Sequence, residues 1–193
     1  MTHVAGLVLA AGQGTRMGQP KGLVRDSAGV LWTSTAVRAL RDGGCPDVTV
    51  VLGAAGTQAG ELLRSEEDHD QPATLVTADD WRAGVSASLR AGLRALRSRG
   101  DVDAVIVTLV ENPRLPASAV ARVLGGTGVG PETLRRAVYG GRPGHPVLIG
   151  RAHWDALDAA LAGDRGAGEY LRVHGAEPLE CADLWDGEDQ DRP

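Results

Sequence analysis

The chain has 193 residues, of which 42% are hydrophobic and 23% are charged, values that argue against a disordered or fibrous protein. Twenty basic and 25 acidic residues give a net charge of -5, which argues against general nucleic-acid binding because that needs a net basic face. A small anionic substrate remains compatible, since a few local cations are enough to hold one. The two cysteines, Cys45 and Cys181, indicate neither a metal cluster nor a disulfide framework.

The N-terminal apolar run, residues 4–11, resembles neither a leader peptide nor a membrane span. It has no Lys or Arg ahead of it, and the glycine-rich residues that follow do not form a cleavage site. No stretch of the chain approaches the roughly 18 apolar residues of a membrane-spanning helix. We therefore expect a soluble, cytoplasmic protein without a membrane partner.

Alternating strand and helix patterns predict a three-layer α/β domain with a mainly parallel sheet. Continuous apolar runs predict buried strands over residues 4–10, 48–52 and 102–110. Apolar residues three and four apart predict helices over residues 32–40, 86–96, 117–124 and 152–161. We expect residues 137–149 to form strands on either side of a tight glycine-containing loop. We expect one domain over residues 1–182, followed by a loosely held acidic tail over residues 183–193.

A glycine-rich loop after the first predicted strand carries the strongest functional signal. Little side-chain bulk at Gly12 and Gly14 lets backbone N–H groups approach a ligand, and the cations Arg16 and Lys21 follow within nine residues of Gly12. This combination holds a polyphosphate without a large basic surface. A P-loop does not fit, because no Gly-Lys-Ser/Thr ends the loop. A dinucleotide fingerprint does not fit either, because Met17 occupies its third glycine position.

Four sequence blocks in order resemble the MobA-like NTP transferase family. They are LVLAAGQGTRMGQPK at residues 7–21, WRAGVSASL at 81–89, GHPV at 144–147 and GDRGA at 163–167, and the resemblance covers most of the chain up to about residue 172. Within the family, Pro20-Lys21 is similar to the molybdenum cofactor cytidylyltransferase branch. The resemblance implies a Rossmann-like, GT-A-like three-layer α/β/α fold.

The resemblance also implies the reaction and its substrates. A phosphate oxygen of molybdopterin, a phosphorylated pterin, would attack the α-phosphorus of a nucleoside triphosphate, and pyrophosphate would leave. CTP is the expected donor, with GTP left open, and a molybdoenzyme that receives the cofactor is an implied partner. In this interpretation Lys21 offsets charge on the triphosphate and Arg16 contacts the departing pyrophosphate.

The family's nucleotide contacts can be carried over to the matching positions of this chain. These positions are Leu9, Ala10, Ala11, Gly12, Gly14, Arg16, Lys21, Gly84, Ser86 and Ser88. Ser86 and Ser88 are expected to bond the base or ribose, or to cap the helix in which they lie. His145 and Asp164 are expected near the second substrate, with a metal contact or a structural role open for His145 and a turn role open for Asp164.

A carboxylate that holds Mg²⁺ is expected at the end of the third buried strand, because ligands bind at the carboxyl ends of strands in open α/β sheets. The residue there is Glu111, where the family normally has Asp. The extra methylene of glutamate displaces the oxygens, which puts metal affinity and turnover in question but not the fold. The acidic stretch at residues 183–189 resembles a degraded form of the family's Asp-rich block, and a solvated tail is the alternative interpretation.

Two other functions remain open from the sequence. Some relatives are described as oxidoreductases that act on nicotine blue with a nicotinamide cofactor, although the missing third glycine of the dinucleotide fingerprint counts against this. The protein could also be a catalytically weak module that binds nucleotide or pterin. Glu111 and the eroded acidic block are the features that favour such a module.

Overall fold

The computed structural model describes residues 2–67, 71–125 and 128–190, and seven strands in these residues form one sheet. The sheet order is β3-β2-β1-β4-β6-β5-β7, and β6 alone runs antiparallel to its neighbours. The strands are β1 (Val4–Leu9), β2 (Val48–Leu52), β3 (Thr74–Thr77), β4 (Ala104–Leu109), β5 (Leu134–Tyr139), β6 (Arg142–Gly150) and β7 (Glu177–Glu180).

Helices cover both faces of this sheet, so the predicted three-layer α/β architecture is confirmed. The helices are α1 (Trp32–Asp42), α2 (Gly56–Glu66), α3 (Val85–Arg97), α4 (Ala117–Leu124), α5 (Trp154–Ala160) and α6 (Gly168–Val173). Buried residues of α1, α2 and α4 pack on one face, and those of α3, α5 and α6 pack on the other. Since Phe is absent, aliphatic side chains dominate both cores, with Trp32 and Trp154 as the largest buried groups.

The two strands at the edges of the sheet, β3 and β7, were not predicted. Each has four residues and exposed polar side chains at its ends, as at Thr74 and Glu177. Edge strands need burial on one side only, so they lack the continuous apolar run that indicates a central strand. The helices α2 and α6 were also missed, and the predicted helix over residues 152–161 begins instead at Trp154, after a 3₁₀ turn.

The segment after β7 is folded against the protein, so the prediction of a loosely held tail is wrong for residues 183–190. Leu184 and Trp185 interrupt the acidic run and pack against the core, and the ring of Trp185 lies edge-on to that of Tyr139, 5.3 Å between centroids. The backbone N–H of Gln190 donates to the Glu111 carbonyl over 2.8 Å. Residues 191–193 of the predicted tail lie outside the described residues.

Both cysteines are free and buried, and burial raises the pKa of the Cys45 thiol to about 12. In the described part of the chain, no helix is long and apolar enough to cross a membrane.

Candidate active site

The glycine loop and Glu111 meet at one edge of the sheet. The strands β1 and β4 are parallel neighbours with Leu9 opposite Leu109, so the residues that follow each strand emerge side by side. They border a cavity of about 630 Å³, which we call the loop cavity. Its lining residues are Leu9, Ala11, Gly12, Gln13, Lys21, Trp81, Arg82, Gly84, Val85, Ser88, Leu109, Glu111 and Asp164.

The glycine loop has a backbone that other residues could not adopt easily. Gly14 lies in the left-handed region with φ 61°, and a Cβ at this position would lie 2.0 Å from the carbonyl oxygen of Gln19. The carbonyl of Gly12 accepts from the Lys21 N–H over 3.0 Å, which folds the loop back on itself. The N–H groups of residues 12–14 donate to no backbone carbonyl in the described residues, so they are available to phosphate oxygens.

Lys21 and Glu111 form a direct ion pair between Nζ and Oε1. Both side chains are partly exposed, 26% and 17%, and both face the loop cavity and a smaller adjoining cavity of about 210 Å³. The adjoining cavity is also lined by Gly14 and Arg16. Because Glu111 neutralises Lys21, a triphosphate can recruit the lysine only by displacing the carboxylate or by bringing a cation that binds it.

The start of α3 forms the opposite wall of the loop cavity. Gly84 has φ 105°, and a Cβ there would lie 2.4 Å from Asp164 Oδ1 and 2.5 Å from the carbonyl of Gly163. Only glycine therefore lets the loop at residues 163–164 pack against this helix end. The partial positive charge of a helix N-terminus adds to the attraction for an anion in the cavity.

Most of the predicted nucleotide contacts line one of these two cavities, but two do not. The side chain of Ala10 packs in the core on the other face of the sheet. Ser86 is 2% exposed and does not line the loop cavity, whereas Ser88 does. The predicted capping role of the serines is wrong, because α3 begins at Val85 with Gly84 as its N-cap residue and no side-chain cap.

Five residues that line the loop cavity were not predicted, namely Gln13, Trp81, Arg82, Val85 and Leu109. The guanidinium of Arg82 lies 4.3 Å from the centroid of the Trp81 ring, so the pair forms a cation–π contact at the cavity wall. Trp81 and Arg82 belong to the block that resembles the family's nucleotide-site segment, and that block was the signal that could have found them.

The two residues predicted near the second substrate are separated. Asp164 lies in the loop cavity, whereas His145 lies in a second cavity of about 630 Å³, which we call the side cavity. The two cavities share Leu9, Val85 and Leu109 as lining residues, so they adjoin. Asp164 and His145 therefore do not line the same cavity, and their assignment to the second substrate stays a prediction.

The imidazole of His145 is enclosed at the floor of the side cavity. Its Nδ1 lies 3.4 Å from the carbonyl of Val107, and its own carbonyl accepts a 2.6 Å hydrogen bond from the Tyr139 hydroxyl. Burial lowers the pKa of His145 below its ordinary value. The ring is therefore neutral at pH 7 and can donate or accept one hydrogen bond there.

A divalent metal would have few protein ligands at this site. No cluster of three or more metal-ligating side chains occurs within the described ranges. Glu111 and Asp164 are the carboxylates that line the loop cavity. This donor set fits Mg²⁺, which is commonly bound by one or two carboxylates together with substrate phosphates and water. Of the acidic residues after β7, Asp183 pairs with Arg122 and Asp189 accepts from Asn112. Glu188 and Asp189 line the side cavity and not the loop cavity.

The fold and this loop-and-carboxylate arrangement define the class of protein. The chain belongs to the MobA-like NTP transferase family, whose sequence profile matches residues 6–179. The predicted family is thus confirmed, and with it the general expectation of a nucleotidyltransferase fold.

Individual proteins similar to this chain come from several organisms. Nicotine blue oxidoreductase of Paenarthrobacter nicotinovorans is 31% identical over 198 residues, which cover 97% of this chain and 92% of that protein. The structure of Rv0371c from Mycobacterium tuberculosis H37Rv is 25% identical with a TM-score of 0.72, covering 93% of this chain and 88% of that one. A nucleotidyl transferase from Methanothermobacter thermautotroptrophicus, 20% identical with a TM-score of 0.73 and the same coverage, shares the fold.

Proposed function

We propose that the protein transfers CMP from CTP to the phosphate of a molybdopterin-type pterin, with release of pyrophosphate. The observation that carries this proposal is the Lys21–Glu111 ion pair beside the open amides of the glycine loop. This arrangement combines a cation for the triphosphate, donors for its oxygens and a carboxylate for its metal. The adjoining side cavity offers room for a second substrate.

The chemistry asks for alignment and charge neutralisation rather than for a protein nucleophile. An ionised phosphate oxygen of the acceptor attacks the α-phosphorus, a new P–O bond forms, and the bond to the pyrophosphate oxygen breaks. The amides of residues 12–14 hold phosphate oxygens, and Lys21 offsets charge that accumulates on the triphosphate. Arg16, at the rim of the smaller cavity, is assigned to the departing pyrophosphate.

Glu111 is assigned to Mg²⁺, with Asp164 as a further carboxylate on the same cavity. When bound, the metal would neutralise charge on the triphosphate oxygens and so make pyrophosphate a better leaving group. Glu111 would also control Lys21, because a carboxylate that held the metal would give up its ion pair with Lys21 and leave the lysine to contact the nucleotide. Cation and nucleotide are therefore expected to bind cooperatively. Cytosine preference follows from the resemblance at Pro20-Lys21, and guanylyl transfer is the alternative that the donor panel tests.

The test is a thermal-shift panel of CTP, GTP, ATP and NADPH, each with Mg²⁺ and again with EDTA, followed by a pyrophosphate-release assay with reduced pterin acceptors. A ligand at about 100 times its Kd stabilises the fold by about 2.7 kcal/mol, which the assay detects. A Mg²⁺-dependent shift with CTP and acceptor-dependent pyrophosphate release support the proposal. Binding without release supports a non-catalytic nucleotide-binding module instead.

A nicotinamide-dependent oxidoreductase is the second candidate. It is favoured by the 31% identity with nicotine blue oxidoreductase over 97% of this chain. In this alternative the glycine loop would hold the pyrophosphate of the cofactor, and the side cavity would hold a flat substrate. A shift with NADPH that is indifferent to EDTA, together with substrate-dependent loss of NADPH absorbance, would replace the first proposal with this one.

A further inference from the structure

Two adjacent arginines on β5 have opposite environments. Arg135 points to the α4 face, where it pairs with Glu177 at 2.8 Å and donates to the carbonyl of Gly125 at 2.7 Å. Arg136 faces the other side of the sheet, because successive residues of a strand alternate, and it lines the side cavity. One guanidinium is thus bound within the fold, and the other is presented to a cavity.

Arg136 lacks any hydrogen-bond or ion-pair partner in residues 2–67, 71–125 and 128–190, and its Nε is shielded from solvent. The other cation of the cavity, Arg142, is exposed and donates to the carbonyl of Asp186. Burial lowers the pKa of Arg136, which nevertheless stays charged at neutral pH. Arg136 as a whole is partly exposed, and a partly buried charge without a counterion gains no ion-pair energy, so folding alone does not account for its position.

The strand register locates Arg136 at the far end of the side cavity from the glycine loop. Arg136 lies opposite Val147, which lies opposite Val107, which in turn lies opposite Leu7 on β1. Three strand spacings of about 4.8 Å put the backbone of Arg136 roughly 14 Å from β1. A group bound by Arg136 is therefore a different group from the one that reacts beside the glycine loop.

Aliphatic side chains make up most of the floor and roof between these two ends, and the carboxylates Glu188 and Asp189 of the segment after β7 also line the cavity. The sheet supplies the floor, and α3 and α6 supply the roof. The aliphatic lining residues are Leu9, Val85, Leu89, Val107, Leu109, Val147, Ile149 and Leu171. The volume of about 630 Å³ is within the usual range for a site that holds a small organic molecule. A cavity of this shape favours a flat ring system over a flexible polar ligand that would have to lose its hydration.

From this arrangement we infer that Arg136 binds an anionic oxygen group on the second substrate, remote from its reacting group. The ligand class is a flat heteroaromatic molecule that carries a carboxylate or phosphate in addition to its reacting phosphate. A planar guanidinium binds either oxyanion through paired hydrogen bonds. The inference deepens the proposed function, on which it rests in calling this molecule the acceptor.

The test measures binding to the nucleotide-free protein by calorimetry with pterin-6-carboxylate, 6-hydroxymethylpterin phosphate and neutral 6-hydroxymethylpterin. Wild-type protein should bind at least one anionic pterin about tenfold or more tightly than the neutral one. The two anionic compounds distinguish carboxylate from phosphate recognition, and inorganic phosphate alone should bind weakly. Arg136→Met should abolish the preference, and Arg94→Met, at an exposed position on α3 outside the cavity, should keep it.

Two further measurements separate ligand binding by Arg136 from a purely structural role and from failure of the proposed function. The unliganded Arg136→Met protein should melt no lower than wild type, because it loses an uncompensated charge; a large drop in Tm would indicate a structural role and overturn the inference. CTP binding should be unchanged in this variant, since Arg136 does not line the loop cavity. Absence of CTP binding in wild type sinks the proposed function alone. Absence of any anion preference, or of any pterin binding at 1 mM (about the weakest affinity that calorimetry resolves), overturns the role of Arg136.

Discussion

Asn112 donates from its side-chain nitrogen to Asp189 Oδ1 over 2.7 Å, and this bond ties the end of β4 to the segment after β7. Asn112 is 2% exposed and follows Glu111 directly, so the carboxylate of the site is supported by a residue 77 positions away. A second hydrogen bond, from the Gln190 N–H to the Glu111 carbonyl, also holds the backbone of Glu111 against this segment. The C-terminal segment is thus part of the site.

Replacing Asp189 by Ala should destabilise the protein by about 1–2 kcal/mol, because the buried Asn112 amide loses its acceptor. The measurement is chemical denaturation, together with the Kd for CTP and Mg²⁺. Asp183→Ala is the matched control, since it removes an exposed, solvent-screened pair with Arg122 and should cost much less stability than Asp189→Ala. Equal effects of the two variants on stability would contradict a specific role for Asp189.

Replacing Glu111 by Gln should alter the metal dependence of nucleotide binding in a way that simple loss of function would not. In EDTA the variant should bind CTP about five- to tenfold more tightly than wild type, because Lys21 is freed from its carboxylate partner. With Mg²⁺ it should lose turnover by about 100-fold or more, because under the proposed function the metal loses a ligand.

The control for this variant is Glu61→Gln on the exposed side of α2, which should behave as wild type in both assays. Weaker CTP binding by Glu111→Gln in EDTA would show that the ion pair does not compete with the triphosphate. Glu111→Asp answers the related question of chain length: a gain in turnover means that the native site is slowed by its glutamate, and a loss means that glutamate is the working ligand.

Replacing Gly14 by Ala should cost far more than the same change at Gly18. Both glycines have positive φ, so each substitution carries a penalty of about 1–2 kcal/mol. At Gly14 the new Cβ would also lie 2.0 Å from the Gln19 carbonyl oxygen, whereas at Gly18 it meets no atom within 4 Å. We expect Gly14→Ala alone to abolish CTP binding. Calorimetry and thermal denaturation check this, and equal loss in both variants would refute the steric argument.

The stability of the protein should fall as the pH drops below about 6.5, in part because of His145. Its pKa is lower in the folded than in the unfolded protein, so the unfolded chain binds more protons between these two values. The contribution of neutral His145 is thus complete above about pH 6.5 and declines as the pH falls toward the folded-state pKa. His145→Asn should flatten the curve of unfolding free energy between pH 7 and 5. A curve that keeps the wild-type slope in His145→Asn would contradict this assignment.

The central strands and the chemistry beside them could be predicted because the signals are local. A short continuous apolar run bounded by turn residues usually forms a buried strand, and Val48–Leu52 forms β2 with the predicted bounds. Lys21 and Glu111 could be expected near each other, because parallel strands end at one edge. The edge strands were missed because Thr74 and Glu177 carry no such signal, and the packed tail was missed because two apolar residues, Leu184 and Trp185, were outweighed by their acidic neighbours.

The sequence by itself determined the layered α/β fold, the family and the glycine loop, since each depends on residues close together in the chain. Only the tertiary structure decided that Asp164 lines the loop cavity, that Asp189 bonds Asn112 beside Glu111, and that Arg136 lines the side cavity without a partner among the described residues. These relationships depend on strand order and on which segment covers which face. The order of β6 and β5 beyond β4 is set by packing over the whole sheet, and no local pattern specifies it.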